Sequence, residues 1–64
     1  MADNTNKTIN IMIVEDHPLF REGLRRVVEA EPDLEVIAEV SDGEQAVTQA
    51  AGLKPNVILM DINL

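Results

Sequence analysis

The chain has 64 residues, of which twelve are acidic and five basic, giving a formal charge of −7, and it has no cysteine. A chain of this size can build one small domain and buries only about 60% of its unfolded surface, with no disulfide or thiolate metal site to compensate. The negative charge argues against nucleic acid or an anionic membrane as a direct partner, and no segment approaches the roughly 20 apolar residues of a membrane helix.

Residues 1–8 are polar and without periodicity, so they read as a disordered lead-in. They also lack the apolar core of a signal peptide, and a cytoplasmic protein is the default. Ile9 to Val14 reads as the first strand. Its run Ile11-Met12-Ile13-Val14 is rich in β-branched residues and continuous, the pattern of a parallel strand covered on both faces.

Pro18 opens a helix, because a proline at the first helical position gives up an N–H that would lack an intrahelical partner anyway. Phe20, Leu24, Val27 and Val28 follow at helical spacing and predict one apolar stripe. Glu22 with Arg26 and Arg25 with Glu29 are placed for i,i+4 ion pairs on the other side. Pro32 lies beyond the end of this helix.

A second strand is expected over Leu34 to Val40, where Leu34, Val36, Ala38 and Val40 alternate with Glu35, Ile37 and Glu39. Its glutamates suit an edge. Ser41 and Glu44 have the spacing of a capping box for a second helix, with Ala46, Val47 and Ala50 facing inward, Gly52 as the stop and Pro55 preventing continuation. Val57 to Met60 reads as a third strand, again apolar throughout. Met12 and Met60 are both expected in the core.

The order strand, helix, strand, helix, strand calls for an α/β fold with a parallel sheet and right-handed crossovers. The exposed second strand belongs outside the first, giving the spatial order 2-1-3. Two apolar strands then stop at acids: Val14 runs into Glu15-Asp16, and Met60 into Asp61. Ligands of open parallel sheets bind outside the carboxyl ends of the strands, so three carboxylates gathered there predict a site for a divalent cation, a phosphoryl group, or both. Glu15 and Asp16 could also serve the helix N-terminus, where acids favour the dipole. His17 is expected in the turn before Pro18 rather than as a metal ligand, since the chain has no second histidine.

Two segments, Val14-Glu15-Asp16-His17-Pro18-Leu19-Phe20-Arg21-Glu22-Gly23-Leu24 and Pro55-Asn56-Val57-Ile58-Leu59-Met60-Asp61, together resemble the receiver domain of bacterial response regulators. The nearest branch is the one with a C-terminal helix-turn-helix for DNA binding. The resemblance covers residues 9–64 and rests on the acidic pair, the strand-to-helix spacing and the aspartate after an apolar strand. It implies half of a doubly wound, flavodoxin-like βαβαβ sheet, a truncated receiver supplying three of the family's five strands in the order 2-1-3-4-5. It also implies Asp61 as phosphoacceptor, attacking the phosphohistidine of a sensor histidine kinase. Mg²⁺ would be held by Asp16 and Asp61, by Glu15 through water, and by the backbone carbonyl of Asn63. The protein would then be a phosphoprotein of a two-component system, regulatory rather than enzymatic, whose parent regulates transcription through a separate DNA-binding domain.

The family's Ser or Thr after the fourth strand and Lys after the fifth have no counterpart here, and Lys54 precedes the third strand, at the wrong end of the sheet. Loss of the fourth strand would leave the third as an open apolar edge, which invites pairing. A homo-oligomer, in its simplest form a dimer, is therefore expected, and a self-associating half-domain without phosphorylation activity is the alternative function. A phosphohydrolase using an aspartyl phosphate normally has a second Asp two positions after the nucleophile, where this chain has Asn63. A dinucleotide-binding fold would show G-x-G-x-x-G after the first strand, and none is present.

Overall fold

A computed structural model describes residues 8–61. Its elements run β1 (Ile9–Val14), α1 (Pro18–Glu29), β2 (Leu34–Val40), α2 (Gly43–Leu53) and β3 (Val57–Met60). All three strands are parallel, and β1 lies between β2 and β3. The α/β architecture and the order 2-1-3 are those the sequence predicts.

The sheet's apolar residues divide between two faces. Ile11, Ile13 and Val28 form one buried cluster with Leu24, Leu34, Val36 and Leu59 against it, which is the α1 face. Met12, Val14, Val40 and Ala46 form the other, with Ala38 and Ala50, on the α2 face. The helices thus cover opposite faces while their crossovers run in opposite directions along the sheet, so the two crossovers share one hand. Met12, Ile13 and Val14 are completely buried, each contributing about 1.5–3 kcal/mol through removal of its side chain from water.

The second strand departs from the simple alternation expected of it. Its register with β1 shifts between Ile11 and Met12, so that Ile11 faces Val36 and Met12 faces Ala38. Ile37 is the extra residue of a β-bulge, and a bulge reverses which face each later side chain occupies. Leu34 and Val36 therefore pack beneath α1 whereas Ala38 and Val40 pack beneath α2. Glu39, paired in register with Ile13, lies on the α1 face and meets Arg21 and Arg25 at 3.6 and 3.2 Å.

Several local expectations change in the same way. On α1 the inward positions are Arg21, Leu24, Arg25 and Val28, while Phe20 and Val27 are 58% and 71% exposed. The two ion pairs read from spacing form, Arg26 to Glu22 at 2.9 Å and Arg25 to Glu29 at 3.5 Å, but Arg25 also turns towards the sheet. The second helix is capped by Asp42, whose Oδ1 accepts from the Gln45 N–H at 2.8 Å, rather than by a Ser41–Glu44 box. That helix passes through Gly52 to Leu53. Lys54 takes the left-handed conformation at φ 53° and donates its N–H to the Ala50 carbonyl at 2.8 Å.

Among the described residues the third strand is the open apolar edge the sequence predicts, but its four apolar residues, which read as covered on both faces, are largely exposed. Val57, Ile58 and Met60 are all exposed, and Met60, expected in the core, is 51% exposed. Val47, expected inward, is also exposed. Among the described residues β3 is an edge with α2 covering only part of one side, so an apolar groove remains between Ala46, Val47, Ala50 and Ala51 of α2 and Ile58 and Met60 of β3.

Candidate functional site

Strand order reverses at β1, because the chain leaves it towards β2 and returns on its other side as β3. Such a switch point opens a crevice at the carboxyl ends of the two strands, where ligands of open α/β sheets bind. Two backbone bonds hold the ends in place. Glu15 N–H donates to the Val40 carbonyl at 3.0 Å, and Asp61 N–H donates to the Val14 carbonyl at 3.2 Å. The first aligns the end of β1 with β2, and the second aligns Asp61 with the end of β1.

One donor atom each from Glu15, Asp16, His17 and Asp61 falls within a span of 4.8 Å. Three residues predicted from strand ends are therefore brought together. The Asn63 carbonyl lies outside the described residues. Glu15 is buried at 1% exposure, an unusual place for a carboxylate, since removal of a charge from water is costly without a partner. Its Oε2 accepts from the His17 N–H at 3.0 Å and lies 2.7 Å from His17 Nδ1, while Oε1 is buried with no hydrogen-bond partner. Asp16 is exposed, with Oδ1 3.0 Å from the same imidazole nitrogen. His17 is itself exposed, and its pKa is raised, first by the hydrogen bond its ring N–H donates to Glu15, then by the charge of Asp16, with smaller contributions from the charges of Glu15 and Asp61.

His17 does occupy the turn before Pro18, as the N-cap of α1. Neither acid caps that helix through its side chain; the Glu15 carboxylate reaches instead to the N–H of the N-cap residue. Two residues escaped sequence reasoning. The proximity of His17 Nδ1 to the carboxylates depends on how the chain turns after β1. Arg21 donates from Nη1 to the Glu15 carbonyl at 2.8 Å and lies 3.6 Å from Glu39, joining the site loop to α1 and β2. Its spacing of four from Arg25 was the available signal, readable only with knowledge that Glu39 faces α1.

The residues fit a hard divalent cation. Mg²⁺ takes oxygen ligands, retains several waters, and is commonly held by one or two carboxylates plus phosphate. The orphaned Glu15 Oε1 is a buried negative oxygen with coordination to spare, next to two further carboxylates.

The fold and this crevice define a doubly wound α/β domain with an acidic site at its switch point. A profile of the response regulator receiver domain matches residues 11–64, and the chain belongs to that family. It is 52% identical over 61 residues to the transcriptional regulatory protein DegU of Brevibacillus brevis, covering 95% of this chain and 25% of that protein. It is 48% identical over 54 residues to the transcriptional regulatory protein LiaR of Bacillus subtilis, covering 84% and 26% respectively. The nitrate/nitrite response regulator protein NarP of Escherichia coli is also 48% identical over 54 residues, covering 84% of this chain and 25% of NarP. The chain thus spans about a quarter of the length of these relatives. No solved structure gives a significant match.

Receiver domains of this family act in two-component signalling and generally bind Mg²⁺ at an acidic cluster, and this chain has such a cluster. Among the described residues no helix is long and apolar enough to cross a membrane.

Proposed function

We propose that this chain is the phosphoacceptor-bearing part of a receiver domain, taking a phosphoryl group on Asp61 from the phosphohistidine of a sensor histidine kinase. The observation that carries the reading is the gathering of Asp61 with Glu15 and Asp16 at the switch point of a chain that belongs to the receiver family. An Asp61 carboxylate oxygen attacks phosphorus, the P–N bond to the kinase imidazole breaks as the O–P bond forms, and the electron pair returns to that ring nitrogen. Asp16 and Asp61 would bind Mg²⁺ directly, Glu15 through water and Asn63 through its carbonyl. When bound, the ion offsets the repulsion among carboxylates and incoming phosphoryl group. The backbone bond from Asp61 to Val14 keeps the nucleophile beside the acidic pair.

In this reading the segment from residue 9 to 64 is regulatory rather than an enzyme with turnover, and it works in the cytoplasm. The −7 charge keeps it off DNA, so transcriptional regulation by a longer protein would use other segments. Incubation with a small acyl phosphate and Mg²⁺, followed by intact mass, tests the proposal. A phosphoryl-sized gain that is lost in Asp61→Asn supports it, and no Asp61-dependent gain removes it.

A second reading is self-association, favoured by the exposure of Ile58 and Met60 on an edge strand. Pairing of β3 with β3 of a second copy would satisfy the edge and cover the groove. Light scattering at micromolar concentration should then give the mass of two chains, and the mass of one chain would refute it.

A further inference from the structure

The acidic pair sits on a peptide unit that the strand ladder does not orient. Pairing of β1 with both neighbours runs to Val14, and Glu15 is one residue beyond it. The Glu15 N–H still reaches the Val40 carbonyl at 3.0 Å. Its carbonyl, which belongs to the same peptide unit as the Asp16 nitrogen, accepts instead from Arg21 Nη1 at 2.8 Å. Because a peptide unit is planar, a bond at that oxygen restrains the rotation of the whole unit, and with it the direction in which the Asp16 side chain leaves the backbone.

We propose that Arg21 is a positioning residue for the phosphoacceptor site, orienting the Glu15–Asp16 peptide from the first turn of α1 while Glu39 holds its guanidinium in place. The proposal rests on the reading of Asp61 as phosphoacceptor and adds to it a side chain that acts through the backbone.

The loop that carries both acids, residues 15–17, is tied to Arg21 at two carbonyls. The Arg21 side chain takes that of Glu15, and its backbone N–H takes that of His17 at 2.8 Å. The side chain uses separate nitrogens for its two partners, Nη1 for the Glu15 carbonyl and Nε for Glu39 Oε1 at 3.6 Å. A rigid planar fork can serve both at once, whereas a lysine ammonium is a single point charge. Glu39 reaches Arg21 because the bulge at Ile37 turns it to the α1 face, where Arg25 also holds it at 3.2 Å. Arg21 and Glu39 are both partly buried, so solvent ions screen their attraction less than that of the exposed Arg26 with Glu22.

Carboxylates gathered within a span of 4.8 Å repel one another. A loop tied at both carbonyls resists spreading of the acids before a phosphoryl group arrives, so the geometry needed for attack by Asp61 is in place beforehand.

The test uses the full 64-residue chain. The rate of phosphoryl uptake from a small acyl phosphate with Mg²⁺ is followed by intact mass for the parent chain, Arg21→Gln, Arg21→Lys, Glu39→Gln and Arg26→Gln. Both Arg21 variants should label on the order of 10- to 100-fold more slowly, the range typical of loss of a residue that orients the groups of a metal site. Arg26→Gln should stay within about twofold, since an exposed helix pair contributes little. Arg21→Lys keeps a cation opposite Glu39, so its urea unfolding should match the parent chain, and slow labelling of a stable variant separates positioning from a structural role. Glu39→Gln should slow labelling of the parent chain yet add nothing to Arg21→Gln, because it acts through Arg21.

A second readout needs neither metal nor phosphodonor. The amide nitrogen resonance of Asp16, in the peptide whose carbonyl Arg21 polarises, should move in Arg21→Lys and stay in place in Arg26→Gln. Labelling of Arg21→Lys at the parent rate, or an Asp16 resonance that does not move, overturns the proposal; failure of Arg21→Gln to fold leaves Arg21→Lys to decide it. A parent chain that takes no phosphoryl group instead removes the reading of Asp61, and the Asp16 resonance then decides whether Arg21 orients the peptide.

Discussion

Glu39 Oε2 lies 3.2 Å from Arg25 Nε on the α1 face of β2, while the very next residue, Val40, is buried on the α2 face. The bulge at Ile37 makes this arrangement possible, because without it Glu39 would face α2 and Val40 would face α1. Deletion of Ile37 should therefore be tolerated, because it removes the extra residue and leaves Ala38, Glu39 and Val40 opposite Met12, Ile13 and Val14 in a regular ladder. Its cost should be close to that of Ile37→Ala, about 1 kcal/mol. Urea unfolding compares the two variants, and a deletion loss on the order of 3–5 kcal/mol, as for a Glu39 turned to the α2 face without a partner, would contradict the assignment of the bulge.

Capping of α2 provides a sharper pair. Asp42→Ala removes the bond to the Gln45 N–H and should cost about 1 kcal/mol. Ser41→Ala should stay within about 0.5 kcal/mol of the parent chain, as expected of a surface substitution without a capping role. At the other end, Lys54→Gly should stabilise by up to about 1 kcal/mol, since a left-handed φ suits glycine better than lysine. Greater damage from Ser41→Ala than from Asp42→Ala in thermal melts would restore the capping box.

The two strand methionines should behave oppositely. Met12 is fully buried in the α2-face cluster, and Met12→Ala should cost about 2–5 kcal/mol. Met60 is half-exposed on the edge, so Met60→Ala should cost less than about 1 kcal/mol at low protein concentration. If β3 pairs between copies, the Met60→Ala loss should grow with concentration. A loss matching that of Met12→Ala at every concentration would contradict the exposure of β3.

Stability should fall as pH rises through the titration of His17. Because the folded chain raises this pKa above its ordinary value of 6.5, it binds the proton more tightly than the unfolded chain does. The stabilisation is fully present below 6.5 and is lost as pH climbs through the raised folded value. In metal-free buffer the stability difference between the parent chain and His17→Gln should shrink over that range in denaturant titrations. A difference that widens with pH would show that the proton is not held by Glu15 and Asp16.

Much of the fold was legible because each strand and helix carries its own periodicity and punctuation. The continuous apolar run of β1, Pro18 at the start of α1 and Pro55 after α2 mark elements through local sterics alone. The candidate site was equally legible, since Glu15, Asp16 and Asp61 stand at strand ends, and parallel strands bring those ends together. Less legible was anything that depends on a neighbour. Phe20 and Val27 read as core from their spacing, yet they are exposed because an amphipathic stripe does not reveal how much of its width a partner covers.

The sequence by itself determined the element order, the parallel sheet with β1 at its centre, and the three carboxylates at its carboxyl end. These follow from hydrophobic period, turn chemistry and the handedness of crossovers, all of which act over short stretches of chain. Tertiary structure alone decided that Ile37 bulges and sends Glu39 to Arg21 and Arg25, that α2 leaves Met60 half-exposed, and that His17 Nδ1 enters the acidic cluster. Each of these depends on the register or distance between segments remote in the chain or on the path of the turn after β1. Burial and charge pairing belong to such pairs of surfaces, and neither surface encodes its partner's position.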